Sequence, residues 1–235
     1  MAKHKATESI TPDDVAAIRR EIRAFFSQTD SRGRKIGSAT YGVYLFYDFD
    51  GEPIYVGQTR EKLSGRVSRH LTNRRTDAVA MNVLDPVEVA EIEVWPLDDL
   101  IARLPKVPKK PWEAAVKLTL DRVESRVFHQ ALAASRFRAV LNEKTIPRPD
   151  KIKLPAAFRG SIIPKDLVRQ RKHPDVRIAR RAATIAALAR IISEREVSIG
   201  LRRTLLTQAQ RLEHLARERL KELGIRFSNL KDEAS

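Results

Sequence analysis

Cysteine is absent from this chain of 235 residues, which excludes disulfide bonds, thiolate metal sites and cysteine nucleophiles. Long apolar runs are missing as well. No run approaches 18 apolar residues, and the first ten residues, MAKHKATESI, lack the apolar segment of a signal peptide. These shortages predict a cytoplasmic protein with no membrane partner, and the lack of cysteine agrees with a reducing compartment.

Acidic residues are few relative to basic ones, with 30 Asp and Glu against 45 Lys and Arg. The formal net charge is +15, and the sequence pI is about 10.4. Such an excess repels itself in a compact fold, so a polyanionic partner is the simplest explanation for it. DNA is the expected partner and RNA is the alternative, while a solvated basic surface is the functionless explanation.

Residues 41–59, YGVYLFYDFDGEPIYVGQT, predict a β-hairpin with strands at 41–48 and 53–57 and a turn around Asp50-Gly51. The tripeptides Gly42-Val43-Tyr44 and Tyr55-Val56-Gly57 lie one on each strand. Alternation along a strand places the glycine and the tyrosine of each tripeptide on the same face. If the hairpin register joins these faces, two phenols meet beside glycines that let a phosphate backbone come close. Ordinary strand tyrosines are the alternative.

The elements around the hairpin predict an α+β fold, with a small antiparallel three-stranded sheet flanked by helices. Helical spacing indicates an N-terminal helix over 12–27, and a basic segment reads as helical to about residue 73. The alternating VEVAEIEVW predicts a third strand over 87–95, and a long helix is expected over 112–135.

The C-terminal region is more basic than the rest. Residues 147–181 carry eleven Lys or Arg against three Asp, which predicts a linker or arm lying across a polyanion. Two helices follow, at about 175–195 and 201–223, as an αα-hairpin. The first is expected to bury Ile178, Ala182, Ile185, Ala189 and Ile192, and the second Leu205, Ala209, Leu212, Ala216 and Leu223. The pair could pack on itself, on the main domain, or on a second subunit as a homodimer. The predicted divisions are 1–39, 40–145 and 146–235.

Two positions on the basic helix suit phosphate chemistry. Arg66 and His70 are four residues apart and so project from one helix face. Arginine has a permanent charge and a planar fork for phosphoryl oxygens, and histidine can polarise an attacking water. A solvated basic face is the alternative. If the match to the helix is displaced by one turn, Arg69 rather than Arg66 would be the phosphate-binding arginine.

Glu124 stands in an apolar stripe of the long helix, with Leu120, Val127 and Phe128 as helical neighbours. A carboxylate there is costly unless a cation or hydrogen bond compensates it. Magnesium would do so, and a salt bridge to a nearby arginine is the alternative. Glu113 is less suitable, because acidic residues in a first turn merely suit the helix dipole. Asn142, 18 residues later, could contact phosphate or serve the structure.

The two tripeptides, the Arg–His pair, the helical glutamate and the later asparagine occur in this order within 40–145. The set resembles the GIY-YIG nuclease family, and loosely its bacterial restriction-type members, although valine replaces the central isoleucine in both tripeptides. The resemblance implies a divalent-metal-dependent endonuclease that cuts DNA with Mg²⁺ or Mn²⁺. It implies catalytic roles for Tyr44, Tyr55, Arg66, His70, Glu124 and Asn142, with Glu124 as the metal ligand.

The basic residues and the two glycines complete the expected nucleic-acid surface. These positions are Gly42, Gly57, Arg69, Arg74, Arg75, Lys151, Lys153, Arg169, Arg171, Lys172, Arg177, Arg180 and Arg181. A binding module that keeps the fold without catalysis is the main alternative function. A basic RNA- or ribosome-associated protein outside the family would explain the charge but not the ordered motifs.

Overall fold

The computed structural model describes residues 13–72, 83–144, 146–147 and 152–225. Its centre is an antiparallel sheet with the strand order β2-β1-β3-β4. The strands are β1 (Gly42–Tyr47), β2 (Pro53–Thr59), β3 (Glu91–Pro96) and β4 (Phe158–Ser161). The predicted α+β fold and its hairpin are confirmed, but the sheet has one strand more than the three expected.

Seven helices surround the sheet in the described segments. They are α1 (Asp13–Ser27), α2 (Leu63–Thr72), α3 (Asp98–Ile101), α4 (Lys109–Ala134), α5 (Lys165–Lys172), α6 (Pro174–Glu194) and α7 (Ile199–Glu222). The prediction of a linker over 147–181 is wrong, because this stretch contributes β4, α5 and the start of α6. Strand β4 was not predicted, because it has only four residues and no apolar alternation. Its Arg159 pairs with Glu91 of β3, a contact between residues far apart in the sequence. None of the helices described is long and apolar enough to cross a membrane.

The sheet separates two apolar cores. On one face, Tyr44, Phe46 and Ile92 pack with α1 and α2. On the other face, Val43, Leu45 and Val56 of the hairpin pack against α4. Successive side chains of β1 point into the two cores in turn, so every residue of this strand is buried. Helices therefore approach the hairpin from opposite faces, and this placement decides where each candidate side chain lies.

Helices α6 and α7 form the predicted αα-hairpin, which packs on the main domain rather than standing apart. Leu188, Ile191 and Leu201 join the core that contains Tyr44 and Phe46. Gly200 lies so close to the backbone of Glu143 that a side chain at this position would overlap it. The C-terminal hairpin thus completes the apolar core on this face of the sheet.

The inner faces of α6 and α7 differ by one residue from the prediction. The buried residues are Arg177, Arg181, Leu188 and Ile191 on α6, and Leu201, Thr204, Thr207, Gln208, Arg211 and Leu215 on α7. Of the predicted residues, Ile192 and Leu205 pack against the core as partly buried side chains. By contrast, Ala182 and Ala209 are exposed, and Leu223 is 58% exposed. The apolar pattern misidentified the faces because much of the buried surface is polar.

A buried ion cluster joins α6 and α7 to the turn of the β1–β2 hairpin. We call Asp48, Glu88, Arg177, Arg181 and Arg211 the Asp48 cluster. All three guanidinium groups lie within 3.5 Å of one oxygen, Oδ2 of Asp48. Glu88 also pairs with two of them, Arg177 and Arg181. Arg177 and Arg181 were expected to bind nucleic acid, and their burial corrects that expectation, because a phosphate backbone does not reach them.

Candidate active site

Four candidate side chains lie together on the face of the sheet covered by α2. We call Tyr44, Tyr55, Arg66 and His70 the phenol cluster. The hydroxyl of Tyr44 is 3.3 Å from Nδ1 of His70, and the ring of Tyr55 meets the imidazole edge-on with centroids 4.8 Å apart. The two phenol rings are themselves 6.4 Å apart. The hairpin register and the four-residue spacing on α2 thus bring these residues into one site.

The members of the phenol cluster differ in exposure. Tyr44 is fully buried, whereas Tyr55, Arg66 and His70 are partly exposed. A substrate therefore reaches the last three first, and Tyr44 supports them from beneath. The phenol of Tyr44 is hydrogen-bonded to both Arg66 and His70.

Arg66 has the electrostatics of an anion-binding group. Burial opposes its charge, but the phenol oxygens of Tyr44 and Tyr55 and the carboxylate of Glu61 raise its pKa above the ordinary value. Its Nε is buried and has no hydrogen-bond partner in the described part of the chain. A buried donor without a partner is costly, and a phosphoryl oxygen would satisfy it. Arg69, the rival position, is instead paired with Glu61 at 2.5 Å.

The glycines of the two tripeptides make room for protein side chains rather than for phosphate. A Cβ on Gly57 would lie 2.5 Å from both Cζ and the hydroxyl oxygen of Tyr44. A Cβ on Gly42 would lie 3.0 Å from the side chain of Leu63. Both glycines are buried. Their predicted contact with nucleic acid is corrected accordingly, since Gly57 is needed to seat Tyr44.

Replacing Gly57 by alanine is therefore expected to displace the phenol of Tyr44 and loosen its contacts to Arg66 and His70. We expect a loss of about 1–3 kcal/mol in unfolding free energy. Gly65→Ala is the matched control, because a Cβ there meets nothing within 4 Å. Urea unfolding of both variants tests this, and a parental stability for Gly57→Ala would contradict it.

Glu124 lies across the sheet from the phenol cluster. Its Oε2 accepts a hydrogen bond of 2.9 Å from Nε2 of Gln58, and the same nitrogen donates to Oδ1 of Asp121 at 2.8 Å. Gln58 pairs with Val43 in the hairpin register and so faces α4, whereas Gly57 pairs with Tyr44. The resemblance implied catalytic roles for Glu124 and for the phenol cluster alike. The structure instead places Glu124 and the phenol cluster on opposite faces of β2, at consecutive residues.

The carboxyl of Glu124 has a perturbed pKa. Burial raises it to about 7, the nearby charge of Asp121 adds to the effect, and the hydrogen bond from Gln58 opposes it. Asp121 behaves in the opposite way. Burial would raise its pKa, but Lys117, Gln58 and Arg60 lower it below the ordinary value. An apolar position thus holds a carboxyl group whose charge is poorly compensated by the protein.

A bound cation would compensate this charge. Magnesium binds through one or two carboxylates and completes its shell with water and phosphate oxygens, so Glu124 with Asp121 is a fitting donor set. No group of three or more histidine, aspartate or glutamate side chains suited to a metal occurs in the residues the structure describes. The open shell would therefore have to be filled by water and substrate.

Asn142 serves the backbone of β2. Its Oδ1 accepts from the amide of Val56 at 3.0 Å, and its Nδ2 donates to the carbonyl of the same residue at 2.7 Å. The amide of Leu141 likewise donates to the carbonyl of Ile54. This segment covers the outer edge of β2 as far as Val56. Of the two roles considered for Asn142, the geometry favours the structural one over a direct catalytic contact.

The predicted nucleic-acid residues are divided between surface and interior. Lys153, Arg169 and Lys172 are exposed, whereas Arg171 is buried and Arg180 is partly buried. Arg74, Arg75 and Lys151 lie outside the described residues. Lys153, Arg169 and Lys172 remain candidates for phosphate contacts, whereas Arg69 is already paired with Glu61.

Gln58 and Asp121 are site residues that the sequence analysis missed. Gln58 directly follows the second tripeptide, and Asp121 precedes Glu124 by three residues, close to one helical turn. The signal available for Asp121 was this spacing, which places two carboxylates on neighbouring positions of one helix face. Gln58 offered no signal beyond its place next to the motif.

Comparison with known proteins gives one match. Residues 40–120 match the family model described as the GIY-YIG catalytic domain. The matched segment is about a third of the chain and includes both tripeptides, Arg66 and His70. It ends before Glu124 and Asn142. Neither a curated protein nor a solved structure gave a significant match.

Proposed function

We propose that this protein is a divalent-metal-dependent endonuclease that hydrolyses phosphodiester bonds in DNA, and the match of residues 40–120 to the GIY-YIG catalytic domain supports the proposal. The observation that carries the proposal is the phenol cluster, in which a partly buried arginine with an unpartnered Nε lies beside a histidine and two phenols. The net charge of +15 supplies the affinity for a polyanion.

Arg66 binds the scissile phosphate in this mechanism. Its guanidinium group keeps its charge at any physiological pH, and its fork matches two phosphoryl oxygens. As the nucleophile attacks, negative charge grows on those oxygens, and a fixed cation at short range stabilises that state more than the ground state. The hydrogen bond to Tyr44 orients the guanidinium group before the substrate arrives.

His70 is the proposed acceptor for the proton of the attacking water. In the tautomer whose Nδ1–H donates to the phenol oxygen of Tyr44, Nε2 has a lone pair for that proton. Tyr55, whose ring packs on the imidazole, offers a second polar group at the same opening. Tyr44 is then a positioning residue, since it is fully buried and acts through His70 and Arg66.

Glu124, with Asp121 beside it, is the proposed holder of Mg²⁺ or Mn²⁺. When bound, such an ion would neutralise developing charge on the phosphate and leaving oxygens. Gln58 holds the two carboxylates in place through one amide nitrogen. The protein's own part is to keep this carboxyl pair at the edge of β2.

The edge of β2 is where the two halves of the site would meet. Strand β2 has β1 on one side only, and Asn142 covers its outer edge as far as Val56. Gly57 and Gln58 come next, with Tyr44 packed over the first and Glu124 bonded to the second. We propose that a phosphodiester lying along this stretch contacts both halves.

A catalytically silent DNA-binding module is the second candidate. The separation of Glu124 from the phenol cluster by the strand favours it, because catalysis needs both halves at one phosphate. The homodimer expected through the C-terminal helices has no support, since α6 and α7 bury their inner faces on the chain's own core. The two candidates differ in one measurable property, metal-dependent cleavage.

Plasmid DNA incubated with the protein, with and without Mg²⁺, tests the proposal. We expect nicking or linearisation with Mg²⁺ and none with EDTA. Arg66→Ala should lower the rate by about 10²- to 10³-fold, because it removes the transition-state cation. Arg69→Ala is the matched control from the same helix and should stay within about threefold, because Arg69 is exposed and paired with Glu61.

The outcomes separate the two candidates. Binding without cleavage under Mg²⁺ or Mn²⁺ would favour the silent module. Equal losses for Arg66→Ala and Arg69→Ala would contradict the role given to Arg66 and leave only a general effect of charge.

A further inference from the structure

A second basic feature lies at the tip of the β1–β2 hairpin. A cleft of about 540 Å³ is formed there between the hairpin turn, the segment after α4, the end of α5 and the last turns of α7. We call it the tip cleft. Its basic lining consists of Arg136, Arg169, Lys172, His173 and His214, with Arg177 at its floor.

The acidic residues of the tip cleft are already neutralised. Asp50 is bound by both terminal nitrogens of Arg177, at 3.0 and 2.7 Å. Glu218 pairs with Lys221 at 2.7 Å, and Glu222 pairs with Arg219 at 3.2 Å.

The basic residues of the cleft are not neutralised in this way. Arg136, Arg169 and Lys172 form no ion pair with any carboxylate of the described segments. Arg169 and Lys172 on α5 and Arg136 after α4 therefore share one concave surface, in which the carboxylates of Asp50 and Glu218 are bound directly by Arg177 and Lys221. A phosphate group would give the three cations a direct ionic partner.

Arg136 and His214 lie on one wall of the cleft. Nη1 of Arg136 lies against Nε2 of His214. The ring of Phe137 packs on the imidazole edge-on, with centroids 5.7 Å apart. These contacts hold both side chains at the cleft surface.

The tip cleft lies at a distance from the phenol cluster that a duplex can span. β1 ends at Tyr47, so three residues of extended strand, roughly 10 Å, separate Tyr44 from the turn that holds Asp50. At about 3.4 Å per base pair, a duplex passes the end of the strand within about three to four base pairs.

We propose that the tip cleft binds backbone phosphates of the same DNA molecule whose scissile phosphate lies at the phenol cluster. The identity of the ligand rests on the proposed function. Its contacts are to phosphate and therefore independent of base sequence. The cleft supplies register and affinity, and the chemistry stays at the edge of β2.

The test compares two triple variants with the same change in net charge. The first is Arg136→Gln, Arg169→Gln, Lys172→Gln in the tip cleft. The control is Arg20→Gln, Arg23→Gln, Arg195→Gln, whose side chains are exposed and lie outside the cleft. Fluorescence anisotropy with EDTA measures binding to duplexes of about 24 and about 8 base pairs over a range of salt, since the shorter one, centred on the phenol cluster, extends only about four base pairs to either side.

For the longer duplex, we expect the cleft variant to bind about 10-fold or more weakly, with a salt slope smaller by about 2–3. The control variant should change affinity by less than about threefold. On the shorter duplex the cleft variant and the parent should bind alike. Equal losses in both variants, or equal losses on both duplexes, would overturn the proposal.

These outcomes are separate from those of the cleavage assay, because no metal is present and binding alone is measured. If the parent binds with the expected length dependence but never cuts DNA, the result supports the role of the tip cleft and contradicts the proposed endonuclease. If the parent cuts DNA while the cleft variant binds like the control, the result supports the endonuclease and contradicts the role of the cleft. A thermal melt of each variant confirms that it is folded.

Discussion

Glu124→Gln is expected to lower the rate of DNA cleavage by about 10³-fold or more while DNA affinity stays within about threefold. Glutamine keeps the shape and can still accept the hydrogen bond from Gln58, but it lacks the charge that would hold a divalent cation. Single-turnover cleavage with saturating protein separates this loss of rate from binding, which anisotropy reports independently.

Glu113→Gln is the matched control for this prediction. It lies on the same helix, is exposed, and has only a distant ion pair with Lys109 at 3.9 Å. We expect its cleavage rate to equal that of the parent. A parental rate for Glu124→Gln would show that the cation, if needed, is held elsewhere. Similar losses in both variants would point to a general effect of negative charge on α4.

The same variant is expected to change how stability depends on pH. Because the folded pKa of Glu124 is raised from 4.5 to about 7, the neutral carboxyl contributes stability below about pH 4.5. This contribution is lost as the pH rises through about 7, and amounts to about 3 kcal/mol. In EDTA, the difference in unfolding free energy between the parent and Glu124→Gln should therefore shift by this amount across that window.

Added Mg²⁺ should reverse the loss at pH 8 in the parent but not in the variant, because the ion binds the ionised carboxylate of the folded state. This thermal-shift measurement needs no DNA and no activity. A parent whose melting temperature is indifferent to Mg²⁺ would contradict the placement of the metal at Glu124.

Asp48→Ala is expected to be the most destabilising single substitution, at about 4 kcal/mol or more. One oxygen of this buried carboxylate holds Arg177, Arg181 and Arg211, whose charges would otherwise be uncompensated in the interior. Burial already lowers the pKa of Arg211 to about 10 despite the attraction of Asp48. The other oxygen accepts from the amides of Asp50 and Glu52 and so shapes the hairpin turn.

Chemical denaturation at neutral pH measures this effect. Asp50→Ala is the control, since Asp50 also pairs with Arg177 but has a side chain that is 46% exposed. We expect a loss of about 1 kcal/mol for the control. Comparable losses of unfolding free energy for the two variants would contradict this prediction. They would show that Glu88, and not Asp48, compensates the charges of the buried arginines.

The local part of the site was predictable because its spacing is set by regular elements. The hairpin turn at Gly51 fixes the register that brings Tyr44 and Tyr55 near each other, and one helical turn joins Arg66 to His70. The side of the sheet on which α4 packs was not predictable in the same way. That choice depends on contacts between residues far apart in the chain. The sequence therefore did not indicate that Glu124 lies on the opposite face of the sheet from the phenol cluster.

The faces of α6 and α7 were mispredicted for a different reason. Apolar periodicity assumes that buried means apolar, yet these helices bury Arg177, Arg181, Thr204, Gln208 and Arg211. The carboxylate partners of the three arginines, Asp48 and Glu88, lie about 90 to 160 residues away in the chain. A basic stretch with distant acidic partners has the same composition as one that binds DNA. Only the three-dimensional pairing separates the two.

The Asp48 cluster also bears on protein engineering. A fusion protein that contained only residues 40–120 would carry Asp48 and Glu88 without the three arginines that neutralise them. Two carboxylates and one flank of the sheet would then open to solvent, and the hairpin turn would lose its anchor. Truncations and chimaeras of this protein should therefore keep the chain through Glu222, since the module recognised by sequence is smaller than the unit that folds.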